Sequence, residues 1–303
     1  SENNSDIKWA ILNNRDSEGF YGYAYYPSNY AAGLTTINRK YISVSRQGTG
    51  VLDPGSYWSI TFTHELGHAL GLKHPHDREG VYKKFPGVRD EDDGGSNELN
   101  ASPWTVMTYN DINPNNYIGN KANHGSLMGL GAYDIAAAQY LYGANLLNNT
   151  GDSIYYLDNS LNGYKCIWDN GGVDKFSGIN AKRSVKIDLR NATLKNEPGG
   201  GGFVSRYGEE YKGLTIAYNS TNNCIIENAD GSIYNDVIIG NEYKNNLKGF
   251  RGNDFLSGKR GNDILNGLDG ADKLYGSYGN DTLNGGRGND RIKGADGKDN
   301  LYG

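Results

Sequence analysis

The chain has 303 residues, room for two domains, with 36% hydrophobic residues and a mean hydropathy of −0.70, the composition of a water-soluble chain. No apolar run approaches the roughly 20 residues that span a bilayer, and with a net charge of −5, a pI of about 5.6 and no basic block, nucleic acid is excluded as a partner. Cys166 and Cys224 are the two cysteines, too few for a disulfide framework or a cysteine metal cluster, leaving one bridge or two free thiols. The chain opens at Ser1 with no methionine and no apolar signal region, as expected of a processed or trimmed product.

In chain order, Ile7 to Leu12 is apolar and predicts a short strand, and the tyrosine-rich run Gly19 to Pro27 predicts another, closed by Pro27. Lys40 to Ser45 reads as a third strand. Ser56 to Leu72, apolar at Trp58, Ile60, Phe62, Leu66, Ala69 and Leu70, predicts a helix.

That helix carries His64-Glu65-Leu66-Gly67-His68, followed by Gly71 and His74. His64 and His68 are four residues apart, one turn above the other on one helix face, where two imidazoles converge on one metal. Glu65 is rotated by about 100° from His64, so its carboxylate lies beside the metal and can take a proton from activated water. Gly71, which takes left-handed dihedrals cheaply, stops the helix, so His74 approaches from a loop as third ligand and Pro75 fixes the exit. Two histidines at this spacing alone would equally suit a polar surface, but the extended pattern HExxHxxGxxH belongs to metzincins, where a Met-turn follows. Met107, in Ser102-Pro103-Trp104-Thr105-Val106-Met107-Thr108-Tyr109, supplies that turn and an apolar floor under the histidines.

On His74-Pro75 and Val106-Met107-Thr108-Tyr109 the chain resembles the serralysin branch of the metzincins, the secreted bacterial zinc endopeptidases. Astacins place Glu after the third histidine and matrixins usually lack the tyrosine. The resemblance implies that Tyr109 is a further zinc ligand that swings away to stabilise the transition state, and that Gly19 to Pro27 is the edge strand along which an extended peptide binds. It also implies protein or peptide substrates, a proteinaceous inhibitor as an optional partner, a monomer, and export in one step. Against that family the opening helix and first strands are missing, as is the C-terminal secretion signal.

Between His74 and Met107, the run Asp90 to Gly95 predicts a solvated flap, and His76 and His124 read as surface residues. Leu127 to Tyr142 predicts the last helix of the first domain, stopped by Gly143. Beyond it the texture changes to short strands at Ile154-Tyr155-Tyr156, Cys166-Ile167-Trp168, Val185-Lys186-Ile187 and Cys224-Ile225-Ile226, which places domains at 1–146 and 147–303. Trp168 to Asp174 resembles the family's calcium loop, with Asp169, Gly171 and Asp174 as ligands and Glu227 as a further one.

From about residue 231 the chain repeats every nine residues: Asp254, Asp263, Asp272, Asp281, Asp290 and Asp299 each stand two positions before Leu or Ile. This is the calcium-binding nonapeptide of RTX proteins, a parallel β-roll in which Gly permits the turn and Asp supplies oxygen to calcium. Leu256, Leu265, Leu274, Leu283, Ile292 and Leu301 would point inward, calcium would lie between aspartates eighteen apart, and the degenerate copies at Asp236 and Asn245 would cap the stack.

The expected protein is therefore an α+β metzincin catalytic domain followed by an all-β parallel β-roll. Its cofactors are one catalytic zinc (His64, His68, His74, Tyr109), with Glu65 as general base, and several structural calcium ions. A calcium-dependent RTX binding module with an inactive protease head is the alternative; the missing opening segment favours it and the complete motif disfavours it.

Overall fold

The computed structural model describes residues 8–12, 22–24, 34–38, 53–78, 83–110, 126–208 and 212–303. The chain divides into two compact units: Ser1–Ala144 with Asn162–Cys166 and Leu194–Gly201, and Asn145–Leu161, Ile167–Thr193 and Gly202–Gly303. Among the described residues, no helix is long and apolar enough to cross a membrane.

The first unit is α+β. Strands β1 (Lys8–Leu12), β2 (Gly22–Ala24) and β3 (Leu34–Asn38) form a sheet in the order β1-β3-β2, β1 parallel and β2 antiparallel to β3. β3 was not expected, although Leu34-Thr35-Thr36-Ile37 is rich in the β-branched residues that suit a pleated surface. The strand expected at Lys40 to Ser45 lies outside the described residues, as does most of the Gly19 to Pro27 run around β2.

Helix α1 (Tyr57–Ala69) lies against β2 and β3. It is capped by Ser56, whose Oγ accepts the Ser59 N–H at 3.2 Å. Helix α2 (Ala132–Tyr142) begins five residues later than the periodicity predicts. Leu127 instead makes a parallel bridge with Tyr164, the Met128 N–H donates to the Tyr164 carbonyl at 2.7 Å, and Gly131 is extended, so the backbone groups of that stretch are committed elsewhere. Between the helices, the expected flap contributes to the core through Val88, Leu99 and Ala101. Its acidic run is solvated except at Asp93, which accepts from the Gly95 N–H at 3.0 Å and from Arg89 Nε at 2.6 Å.

The second unit is an all-β parallel roll. From Asn228 on, successive strands alternate between two sheets and join every eighteen residues in one unchanging register, whereas Ser205–Tyr207 and Gly213–Ile216 add to one of the sheets antiparallel, beside Val185–Asp188. One column of inward residues is Tyr155, Phe176, Ala229, Leu247, Leu265, Leu283 and Leu301; the other is Ile187, Ile238, Leu256, Leu274 and Ile292. Of the six residues expected inside, Leu256, Leu265, Leu274 and Leu283 are fully buried, whereas Ile292 is half-buried and Leu301 is 50% exposed. Each residue is covered by the coil eighteen positions on, and these two have none within the chain.

The degenerate copies do not cap the roll. β10 (Asn228–Asp230) and β11 (Val237–Ile239) pair onward to β6 (Lys175–Ser177) and β7 (Val185–Asp188), and β6 to β4 (Ile154–Tyr156), so the parallel stack continues back to Ile154. Cys224-Ile225-Ile226 is buried but not a strand: the Cys224 N–H goes to Asn219 Oδ1 and the Ile225 N–H to the Asn223 carbonyl, local turn bonds in place of a ladder. Both cysteines are free thiols.

Candidate metal centres

α1 ends in a Schellman turn: the Leu72 N–H reaches the Gly67 carbonyl and the Gly71 N–H the His68 carbonyl, both at 2.9 Å, with Gly71 at φ +91°. The turn brings the Leu72 carbonyl to His68 Nδ1 at 3.0 Å, and the Val106 carbonyl meets His64 Nδ1 at 2.7 Å. A carbonyl accepts and never donates, so both Nδ1 atoms carry the proton and both Nε2 atoms present lone pairs. Those lone pairs face His74 Nε2, 3.2 Å from His64 Nε2 and 3.1 Å from His68 Nε2, with Tyr109 Oη 2.9 Å from the same atom. Nitrogens at this separation span the edge of a tetrahedron around an ion with bonds of about 2.0–2.1 Å, so the donor set fits zinc. Burial above all, then the neighbouring imidazoles, lowers His64 to about 3; burial also lowers His74, to about 4, and His68. All three are neutral near pH 7, the form that ligates a metal.

Glu65 is buried beside the triad, and its Oε2 has no hydrogen-bond partner among the described residues. Burial raises its pKa to about 7, where a general base works well at neutral pH. Met107 Sδ fills the space beneath α1, 2.4 Å from where a Cβ on Gly67 would stand. The loop carrying Val106 is held by buried Asp134 of α2: Thr105 Oγ1 donates to Asp134 Oδ1 at 2.6 Å, and the Val106 and Gly131 N–H groups to Oδ2 at 2.7 and 2.8 Å. Sequence reasoning missed Asp134, for nothing local to it points to a loop some thirty residues earlier.

His76 is not a surface residue. Its ring stacks on His74 at 4.9 Å and 9° and lies 5.3 Å from the Tyr109 ring, while Asp77 Oδ2 is 3.1 Å from His74 Nδ1. His124 lies outside the described residues.

In the second unit, Asp169 and Asp174 are fully buried on either side of Gly171, each with one carboxylate oxygen lacking a partner among the described residues. Asp174 Oδ1 accepts the Ser153 N–H at 2.8 Å, and the Asp174 N–H donates to Glu227 Oε2 at 2.7 Å. Tyr155, missed in the sequence, donates its hydroxyl to Asp169 Oδ2. Burial first and the adjacent carboxylates second raise Asp174 to about 7, and Glu227 shifts upward for the same reasons. Buried carboxylates with orphaned oxygens fit a hard cation such as calcium.

The roll repeats that situation. Asp254, Asp263, Asp272 and Asp281 each donate their N–H to the Oδ1 of the aspartate eighteen residues on, ending at Asp290 and Asp299, over 2.8–3.0 Å. Their four Oδ2 atoms are buried without partners among the described residues. The glycine five positions before each aspartate is not at positive φ; the left-handed residue is the next one, such as Phe250 or Lys259. That glycine is there for space: a Cβ on Gly258 would stand 2.1 Å from Asp263 Oδ2. Orphaned oxygens lined up against bare glycine backbone again fit calcium.

Residues 1–75 match the family model described as metallo-peptidase family M12B, reprolysin-like, and four overlapping stretches from 230 to 303 match the RTX calcium-binding nonapeptide repeat. The chain is 33% identical over 260 residues to a serralysin of Proteus mirabilis, covering 80% of this chain and 48% of that protein. It is 35% identical over 236 residues to serralysin C of Dickeya chrysanthemi (73% and 43%), and 32% identical over 209 residues to the metallopeptidase AprA of Pseudomonas marginalis (65% and 40%). The chain thus spans about half the length of the curated relatives it matches. The three-histidine group within the matched metallopeptidase segment indicates zinc, and the repeats indicate calcium.

Proposed function

We propose that this chain is a secreted, serralysin-like zinc endopeptidase that hydrolyses peptide bonds in proteins. The observation that carries the reading is the convergence of three neutral imidazole lone pairs beside a buried carboxylate whose Oε2 has no partner among the described residues. The similarity to serralysins and the metallopeptidase match support it independently.

In this reading His64, His68 and His74, with Tyr109 at rest, hold the zinc, which when bound supplies Lewis acidity toward water and the scissile carbonyl. Glu65, poised near neutrality by burial, takes the proton from the attacking water and passes it to the leaving nitrogen. Tyr109 is 55% exposed, and its hydroxyl, 2.9 Å from His74 Nε2 at rest, would swing toward the developing oxyanion and donate to it. An extended substrate adds to the edge of the sheet at β2, which has β3 on one side. Residues 1–146 form the catalytic domain and 147–303 a calcium-stabilised domain, whose ligands are Asp169, Gly171, Asp174, Glu227 and the roll aspartates from Asp254 to Asp299. The protein acts as a monomer on protein or peptide substrates, with a proteinaceous inhibitor as a further partner.

The test is Glu65→Gln. Purified with calcium, the variant should hold one zinc per chain and lose casein hydrolysis, while wild type loses hydrolysis on chelation. Loss of zinc with the substitution would show a wrong ligand set, and a zinc-loaded wild type without hydrolysis would leave a calcium-dependent binding module.

A further inference from the structure

We infer that His76 and Asp77 hold a second, weaker transition-metal ion beside the zinc triad, and that excess zinc inhibits the enzyme through it. The inference rests on the zinc-peptidase reading of the neighbouring triad.

His76 is an unusual occupant of its place. Its side chain is only 15% exposed, its Nδ1 is buried, and neither ring nitrogen makes a hydrogen bond to a described residue. The buried nitrogen without a partner is Nδ1, whereas Nε2 is not among the buried atoms and stands open to solvent or an ion. Stacking on His74 orients the ring but satisfies neither nitrogen. What Nε2 faces is Asp77 Oδ1 at 3.9 Å, too long for a hydrogen bond. The gap is close to two metal–ligand bonds of about 2.0–2.2 Å placed end to end, and closing it by about half an ångström brings them to the tetrahedral angle. His74, the third member of this cluster, has Nε2 turned to the triad and Nδ1 on Asp77 Oδ2, which leaves His76 Nε2 and Asp77 Oδ1 as the ligand atoms. Imidazole with carboxylate selects zinc, cobalt or nickel over calcium. Two protein ligands completed by water bind more weakly than three imidazoles and a phenol.

Occupancy would act on catalysis through Asp77. Asp77 Oδ2 accepts from the His74 backbone N–H at 3.0 Å and lies 3.1 Å from His74 Nδ1, so the carboxylate orients a ligand of the first metal. A cation on its other oxygen weakens that hold. It also adds positive charge against the Tyr109 ring, whose hydroxyl must move for the transition state.

The experiment is zinc binding by equilibrium dialysis to the full, calcium-saturated, metal-stripped chain, with caseinolysis followed over the same zinc range. Wild type should take up one tight and one weaker zinc, activity rising with the first and falling with the second. His76→Ala should retain the tight zinc and lose the weaker one, raising the zinc concentration for half-inhibition at least ten-fold. His76→Gln, which keeps side-chain volume, should do the same and guards against a packing effect. Uptake of one equivalent by wild type, or a second equivalent persisting in both variants, overturns the second site and leaves the peptidase reading standing. No tight zinc in wild type overturns both.

Discussion

Replacing Asp254 by Asn should move the roll in opposite directions with and without calcium. Asp254 Oδ1 accepts the Asp236 N–H at 2.8 Å, which the Oδ1 of Asn can still do. The change is confined to Oδ2, buried with no partner among the described residues, beside the point over Gly249 that lies 2.9 Å from the Gly267 carbonyl. An amide there presents a donor on the side of that carbonyl, where a carboxylate presents a second acceptor. Without calcium at pH 8, removing an orphaned buried acceptor is worth about 1–3 kcal/mol in favour of folding. With calcium the site loses one ligand charge, and the calcium midpoint should rise ten-fold or more, about 1.4 kcal/mol per decade.

The pH dependence carries a definite sign. Burial first, then the Asp236 and Asp272 charges, raises folded Asp254 to about 7 from an ordinary value of 3.8. A carboxyl raised on folding contributes stability below pH 4 and loses it as pH climbs to 7, so the calcium-free advantage of Asn should vanish near pH 4 and be complete above 7. Trimethylamine oxide can drive folding in chelator and calcium can drive it without osmolyte, both followed by circular dichroism of the full chain. If Asn raises the osmolyte requirement at pH 8 as well as the calcium requirement, the carboxylate is a structural hydrogen-bond acceptor and not a cation ligand.

Tyr109→Phe should lower kcat about 100-fold, on the order of 3 kcal/mol, with KM little changed, since the hydroxyl acts in the transition state; an unchanged kcat removes it from the mechanism. Gly67→Ala should destabilise the first unit by about 1–3 kcal/mol despite the better helix propensity of Ala, because Met107 Sδ occupies the space; a raised Tm contradicts that packing. Chelation should unfold the roll, and sodium chloride at matched ionic strength should not restore it. Residues 231–303 hold ten acidic and ten basic side chains, so the repulsion calcium relieves is local to the converging aspartates. A β signal that survives excess chelator refutes this.

Whatever depends on short spacing or on a strict period was legible in the sequence. His64, Glu65 and His68 share a helix turn, Gly71 dictates where that helix stops, and a period of nine makes two sheets whose partners are eighteen residues apart; backbone geometry alone relates such positions. The tertiary structure decided what depends on carbonyls and distant segments. Val106 and Leu72 oxygens set the histidine tautomers, Asp134 clamps the Val106 loop from another helix, and His76 is drawn from an expected surface onto His74. The upstream strands at Ile154 and Lys175 join the roll without the repeat, because ladder hydrogen bonds are made by backbone and do not require Gly or Asp. The glycine before each left-handed residue shows the same limit: its presence is legible in the sequence, but the carboxylate that excludes a Cβ arrives from five residues further on, folded back against it.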